Sequence, residues 1–378
     1  MHICCLSPGS LPLPPARCTS VEIYVAQLAR EVSRAHPVTL FGKSSRVRRR
    51  KQGHLTTFTF PTRGGRAYLQ QALQEIRRLR TPPSLLHVEN RVAFVPLVKK
   101  AFPKTPVVLN LHSNVLIAQL SDRTVRACFR NMDALVVNSS FLRADLLRKY
   151  PALPAEKVHV IHPGVEIERY PARDSVAGKR LRREIRERLR VAEETKVLLF
   201  VGRFIPRKGI LELVEAFREV QERFPETELW VVGGKPVQEE NAYHQALVEA
   251  SRGLPVRFLG FVKQPDLPKY YFGADLFVCP SQKPESFGLV NVEASACGLP
   301  VVASDAWGIR EAVEDGVNGR LVERYAEPQA LGQVLIELLS DPERMEQMGM
   351  QGRLLVEERF TWKKTAKEFE KLYRRTIK

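Results

Sequence analysis

Short apolar runs punctuate the whole chain, and the stretches between them repeat apolar residues at helical spacing. The runs at residues 2–7, 37–42, 56–60, 85–90, 107–112, 134–139 and 158–162 are brief, rich in Val, Leu and Ile, and predict buried strands. A second set follows at 197–201, 229–232, 256–261, 276–279 and 300–303. Between strands, Val21, Val25, Leu28, Ala29 and Val32 mark one face of a helix over 21–33, and residues 68–80 and 210–224 predict helices of the same kind. Residues 360–378 close the chain as an amphipathic helix with Phe369, Leu372 and Tyr373 inward. Short buried strands alternating with helices predict parallel sheets covered on both faces. Pro163-Gly164 breaks the rhythm, and residues 169–195 form a charged connector. The fold class is therefore α/β: two doubly wound domains, residues 1–170 and 171–360, followed by a terminal helix at 361–378.

A chain of 378 residues is comfortable for two cores, and 44% apolar with 27% charged residues is ordinary for a soluble globular protein. The six cysteines show no metal-ligand spacing and sit mostly inside apolar patterns, so they are expected to be small buried hydrophobes in a reducing compartment. The first apolar run is too short for a signal peptide, and no run approaches the roughly 20 apolar residues of a membrane span. The expected location is the cytoplasm.

Charge changes the picture. The chain carries +17, and through Arg190 it holds 34 Lys+Arg against 13 Asp+Glu, a balance of +21; the remainder holds 25 and 29, a balance of −4. Basic clusters lie at 46–51, 77–80 and 179–190. Such a field fits an anionic membrane surface or an acidic polymer. Nucleic acid is set aside, because no binding motif with interleaved aromatics accompanies the charge. Residues 46–51 are expected as an exposed loop, 68–80 as a basic helix adding a partly apolar face beside it, and 179–190 as a mostly solvated helix face.

The chemistry concentrates at residues 284–300, Pro-Glu-Ser-Phe-Gly-Leu-Val-Asn-Val-Glu-Ala-Ser-Ala-Cys-Gly-Leu-Pro. Glu285 falls in a strand-to-helix loop, and Glu293 is expected about two turns into the helix. The helix start offers the amides of Phe287, Gly288 and Leu289 to a phosphate. Eight helical residues would span roughly 12 Å, the reach from a sugar across a diphosphate to a ribose. That places Glu285 at a donor sugar and Glu293 at the ribose hydroxyls. Arg203 and Lys208, around a Pro206 turn and beside Gly209, are candidates for a leaving diphosphate. Phe261 and Val262, at another strand end, suit a nucleotide base through backbone groups, with a packed core as the rival reading for Phe261. Ser139 ends a strand and is a further donor-contact candidate. His87 and His162 are read as structural.

These pieces together resemble the carboxylate-x7-carboxylate motif and flanks of the family-four retaining glycosyltransferases. Val201-Gly-Arg203 with Arg207-Lys208-Gly209, residues 276–281 and 300–311, and Asp315-Gly-Val-Asn-Gly319 carry the resemblance, which is strongest over 196–322. It implies the GT-B fold, two Rossmann-like domains facing across a cleft with the terminal helix packed back on the first. It further implies a nucleotide-sugar donor, no metal requirement, and His112 touching the transferred sugar. No residue is clearly a nucleophile, which favours front-face displacement. The glycan acceptor is expected to be lipid-linked or at the cell surface or spore coat. Residues 8–20, with their prolines and Arg17, and Glu22 beyond them, are most similar to the subgroup of SA-type spore-coat proteins. Where the family has a Gly-Gly pair, this chain has Cys18 and Thr19. A catalytically weak coat protein on the same fold is the alternative reading.

Overall fold

The computed structural model describes residues 1–13, 20–115, 117–234 and 242–378. Two compact units emerge, Met1–Pro163 with Trp362–Lys378, and Gly164–Thr361. The division falls at Gly164 because Val165 already bridges to Thr361, and Tyr170 is buried in the core of the second unit.

The first unit runs β1 (Ile3–Leu6), α1 (Ser20–Val32), β2 (Val38–Lys43), β3 (Arg48–Gln52), β4 (Leu55–Phe60), α2 (Gly65–Arg77) and β5 (Leu85–Glu89). It continues through α3 (Phe94–Ala101), β6 (Val107–Leu111), α4 (Asp122–Asn131), β7 (Ala134–Val137), α5 (Ser140–Lys149) and β8 (Val158–Val160). The second unit contains α6 (Val176–Leu189), β9 (Lys196–Gly202), α7 (Ile210–Arg223), β10 (Thr227–Gly233), α8 (Ala242–Ala250) and β11 (Val256–Gly260). It is completed by α9 (Leu267–Gly273), β12 (Leu276–Cys279), α10 (Leu289–Ala296), β13 (Val301–Ser304), β14 (Gly319–Val322), α11 (Pro328–Leu339) and α12 (Pro342–Arg359). The last helix, α13 (Trp362–Ile377), belongs to the first unit.

Eight strands form the first sheet in the order β3-β4-β2-β1-β5-β6-β7-β8, parallel except for the β3–β4 pair. Its strands alternate: Cys4 and Leu6 enter the core under α2–α5, while Ile3 and Cys5 enter the core shared with α1 and α13. Phe369, Leu372 and Tyr373 of α13 lie in that second core, as their spacing required. The other unit has six parallel strands in the order β11-β10-β9-β12-β13-β14, again with a core on each face. Its strand order reverses between β9 and β12, and ligands of such sheets gather outside the strand ends at that switch point. The five described cysteines are free and buried, and burial pushes the Cys4 thiol up to about 12.

Two basic stretches depart from expectation, and the third, mostly exposed as expected, turns two of its arginines inward. Residues 46–51 are not a loop: Arg48–Gln52 is an edge strand, fully exposed, paired antiparallel to β4, with the Arg49 guanidinium 5.2 Å above the Phe58 ring. Charged side chains on a sheet edge keep it from recruiting another strand. The apolar face of α2 is not available to a bilayer either, because Tyr68, Leu69, Ala72 and Ile76 are buried in the core. On α6, Arg182 and Arg186 turn inward, each 2.9 Å from Asp275, and Arg186 also donates to the carbonyls of Gly273, Ala192 and Thr195. Charge does segregate by unit: the first carries 32 Lys+Arg against 10 Asp+Glu, or +22, and the second 27 against 32, or −5.

Candidate active site

The loops after β9 and β12 flank the switch point of the second sheet and are built against each other. After β9, Arg203 is exposed, and Pro206–Lys208 makes a single tight turn. Gly209 follows at φ 73°, and a side chain there would strike the carbonyl of Pro280 at the end of β12. Only glycine satisfies both the left-handed backbone and this approach. Arg207 donates to the carbonyl of Pro284, and Lys208 pairs with the Glu285 carboxylate. Both members of that pair are mostly buried, with side chains 16% and 22% exposed. The loop bearing Glu285 is clamped from the other side too, where Gly308 N donates to the Glu285 carbonyl at 3.0 Å.

Helix α10 then begins. Gly288 caps it at φ 79°, ψ 57°, and Phe287 anchors the approach, its buried ring edge-on to Phe360 at 5.6 Å. With Leu289 as the first helical residue, the Phe287, Gly288 and Leu289 amides belong to the start of the helix, where donors lack intrahelical partners. Glu293 is thus only the fifth helical residue, so the two carboxylates are not separated by two turns of continuous helix. In the same first turn, Asn291 is fully buried, and neither amide atom finds a partner among the described residues.

Glu293 is not solvated. It is 7% exposed, accepts from Tyr271 Oη at 2.9 Å and lies 3.4 Å from Gln264 Nε2. Burial is the largest influence and raises its carboxyl to about 7, against the lowering effects of the Tyr271 bond and of Arg169. Gln264 in turn receives the Arg169 guanidinium on its side chain and its carbonyl. Gln264 belongs to the loop that begins with Phe261 and Val262, so Glu293 and the β11 end form one cluster. Phe261 is 44% exposed, which removes the packed-core reading, while Val262 packs on the core.

In the first unit His112 follows β6. Its Nε2 lies 2.5 Å from Glu89 Oε1, its ring is edge-on to Tyr24 at 4.4 Å, and its side chain is 15% exposed. Asn138 donates to its carbonyl at 3.3 Å. Ser139 is fully buried and spends its hydroxyl as the cap of α5, accepting from Leu142 N at 3.0 Å. Among the described residues no group of His, Cys, Asp or Glu is arranged to hold a metal ion. Cys18 and Thr19 lie outside the described residues.

Two family models match the chain, Glycosyltransferase Family 4 over residues 21–169 and Glycosyl transferases group 1 over 182–355. The α-maltose-1-phosphate synthase of Mycolicibacterium smegmatis is 33% identical over 277 residues, 68% of this chain and 67% of that protein. The chain belongs to the family 4 glycosyltransferases. Spore coat protein SA of Bacillus subtilis is 28% identical over 379 residues, covering 99% of each. Among solved structures, Anabaena HepE in complex with UDP and glucose superposes with a TM-score of 0.77 at 22% identity, covering 98% of both chains. The two doubly wound units are those of the GT-B fold.

Within this glycosyltransferase, the second unit joins Lys208 to Glu285 and joins Glu293 to the loop of Phe261 and Val262. It leaves Arg203 exposed beside the first cluster. Sequence reasoning missed Gln264 and Tyr271, whose partnership with Glu293 spans 29 and 22 positions and leaves no periodic trace. It also missed Trp307, next to the glycine that clamps Glu285. Trp307 sits at φ 54°, in the left-handed region, with its ring 5.5 Å from Tyr325. A bulky residue there is a genuine backbone outlier, and only the structure reveals it.

Proposed function

We propose that the chain is a retaining hexosyltransferase that moves a sugar from a nucleotide-sugar donor to a lipid-linked, cell-surface or spore-coat glycan. The observation that carries this reading is the contact of Lys208 with Glu285 at the switch point, directly ahead of the α10 amides. A carboxylate beside a cation and a helix start suits a sugar carried on a diphosphate. The binding of UDP and glucose by HepE supports a uridine nucleotide as the donor's carrier. Lys208 and Arg203 would neutralise the diphosphate as the glycosidic bond breaks, in place of a metal. Glu285 would take the sugar hydroxyls and stabilise positive charge at the ring. Glu293, with Gln264 beside it, would accept from the ribose diol, and the backbone of Phe261 and Val262 would meet the base. His112 is assigned to the transferred sugar. In the front-face displacement, the acceptor oxygen bonds to the anomeric carbon as the phosphate oxygen leaves. The acceptor proton passes to that phosphate. The +22 first unit, with its β3 edge, is assigned to an anionic membrane surface.

The test is a panel of nucleotide sugars scored for thermal stabilisation and slow donor hydrolysis. Stabilisation with hydrolysis, retaining anomeric configuration, is the expected result. Binding without turnover would leave the coat-protein alternative, and no binding would overturn both site clusters.

A further inference from the structure

A buried carboxylate lies behind the candidate sugar-contacting histidine. Glu89, at the end of β5, is 0% exposed and accepts three side-chain donors. Its Oε1 lies 2.5 Å from His112 Nε2 and 3.0 Å from Asn110 Nδ2, and its Oε2 lies 3.0 Å from His87 Nε2. His87, equally buried, turns Nδ1 to the Tyr373 hydroxyl of α13 at 2.7 Å. A chain of contacts thus runs from the terminal helix through His87 and Glu89 to His112.

Proton counting gives the chain a direction. An ionised carboxylate only accepts, so both Nε2 atoms pointing at it must carry hydrogen. Burial pushes the Glu89 carboxyl up, but the charges and hydrogen bonds of His112 and His87 outweigh it and hold the group below the ordinary glutamate value. In its neutral form, His112 keeps its one ring hydrogen on Nε2, facing Glu89, and has its lone pair on Nδ1, for which no hydrogen bond is present among the described residues. Apolar packing would fill this strand position without the desolvation cost of a charge. What Glu89 supplies, and an apolar residue would not, is a defined tautomer and ring orientation.

We propose that Glu89 is a positioning residue for His112, fixing its Nε2–H tautomer so that Nδ1 is presented as an acceptor to a hydroxyl of the donor sugar, with Tyr373 and His87 holding the carboxylate in place. The sugar part rests on the assignment of His112 above; the tautomer does not.

The experiment labels the histidines of the full chain with 15N and reads long-range proton–nitrogen correlations, identifying His112 by its loss in His112→Gln. With the pH raised until the imidazole is neutral, wild type is expected to show a protonated Nε2 and an unprotonated Nδ1 at His112. Glu89→Gln, which can donate as well as accept, is expected to mix the tautomers and cut kcat of donor hydrolysis 10–100-fold, with KM changed less than threefold. A wild-type Nδ1–H tautomer at His112 overturns the proposal even if Glu89→Gln does not fold. So does a Glu89→Gln spectrum unchanged at His112. Absence of hydrolysis in wild type would instead count against the glycosyltransferase reading, while the tautomer measurement still decides the role of Glu89.

Discussion

Replacing Glu293 by Gln should make the protein more stable, and increasingly so as pH rises. The wild-type carboxyl moves from an ordinary 4.5 to about 7 on folding, chiefly through burial. Between those values the folded chain holds a proton that the unfolded chain has lost. The stability tied to that proton is present at low pH and declines as pH climbs through 7. The ionisation penalty is roughly 1 kcal/mol at pH 5.5 and roughly 3 kcal/mol at pH 8, a growth of about 2 kcal/mol. Gln keeps the acceptor for Tyr271 Oη and never ionises, so it avoids this growth. Other titrating groups cancel between the two proteins. For a unit of this size 1 kcal/mol moves Tm by about 2–4 °C, so the gap between variant and wild type should widen by about 4–8 °C from pH 5.5 to pH 8. Scanning calorimetry at the two pH values measures it. A gap independent of pH, or one that narrows as pH rises, would refute the burial argument.

Glu293→Ala should weaken nucleotide-sugar binding by roughly 1.5–3 kcal/mol, the increment of a hydrogen bond to a charged group. If Glu285 stabilises charge at the sugar ring as proposed, Glu285→Ala should lower turnover more than binding; titration calorimetry beside initial rates separates the two, and equal losses of affinity alone would end the division of roles. If Lys208 and Arg203 neutralise the diphosphate as proposed, chelation with EDTA should leave donor hydrolysis unchanged within a factor of two. Vesicle sedimentation should show binding that needs anionic lipid, vanishes at moderate salt, and falls when Arg48, Arg49 and Arg50 become Ser. With the apolar face of α2 buried, that helix adds no apolar anchor to the basic surface, and electrostatic attraction fades within a Debye length of about 10 Å at 0.1 M salt. Binding to neutral vesicles would contradict it.

Periodicity along the chain determined most of the strands and helices, because a buried parallel strand must be continuously apolar and a half-buried helix must repeat its apolar face. It also determined that Glu285 stands in a loop and that Gly288 and Leu289 open a helix, since glycine and a helix-forming run mark that boundary locally. The Arg48–Gln52 strand escaped because an exposed edge carries no apolar pattern, and its existence depends on pairing with β4. Only the tertiary structure decided which charges are buried. Arg182 and Arg186 look like their solvated neighbours on α6 until Asp275, some ninety positions away, is packed against them. Glu293 is a helix carboxylate like any other until Tyr271 and Gln264 close over it, and Glu89 sits unremarked in a strand until His87 and His112 converge on it. A side chain's own spacing tells which face it occupies. Its protonation and its work depend on the groups that folding brings opposite, and those lie too far along the chain to leave a local signal.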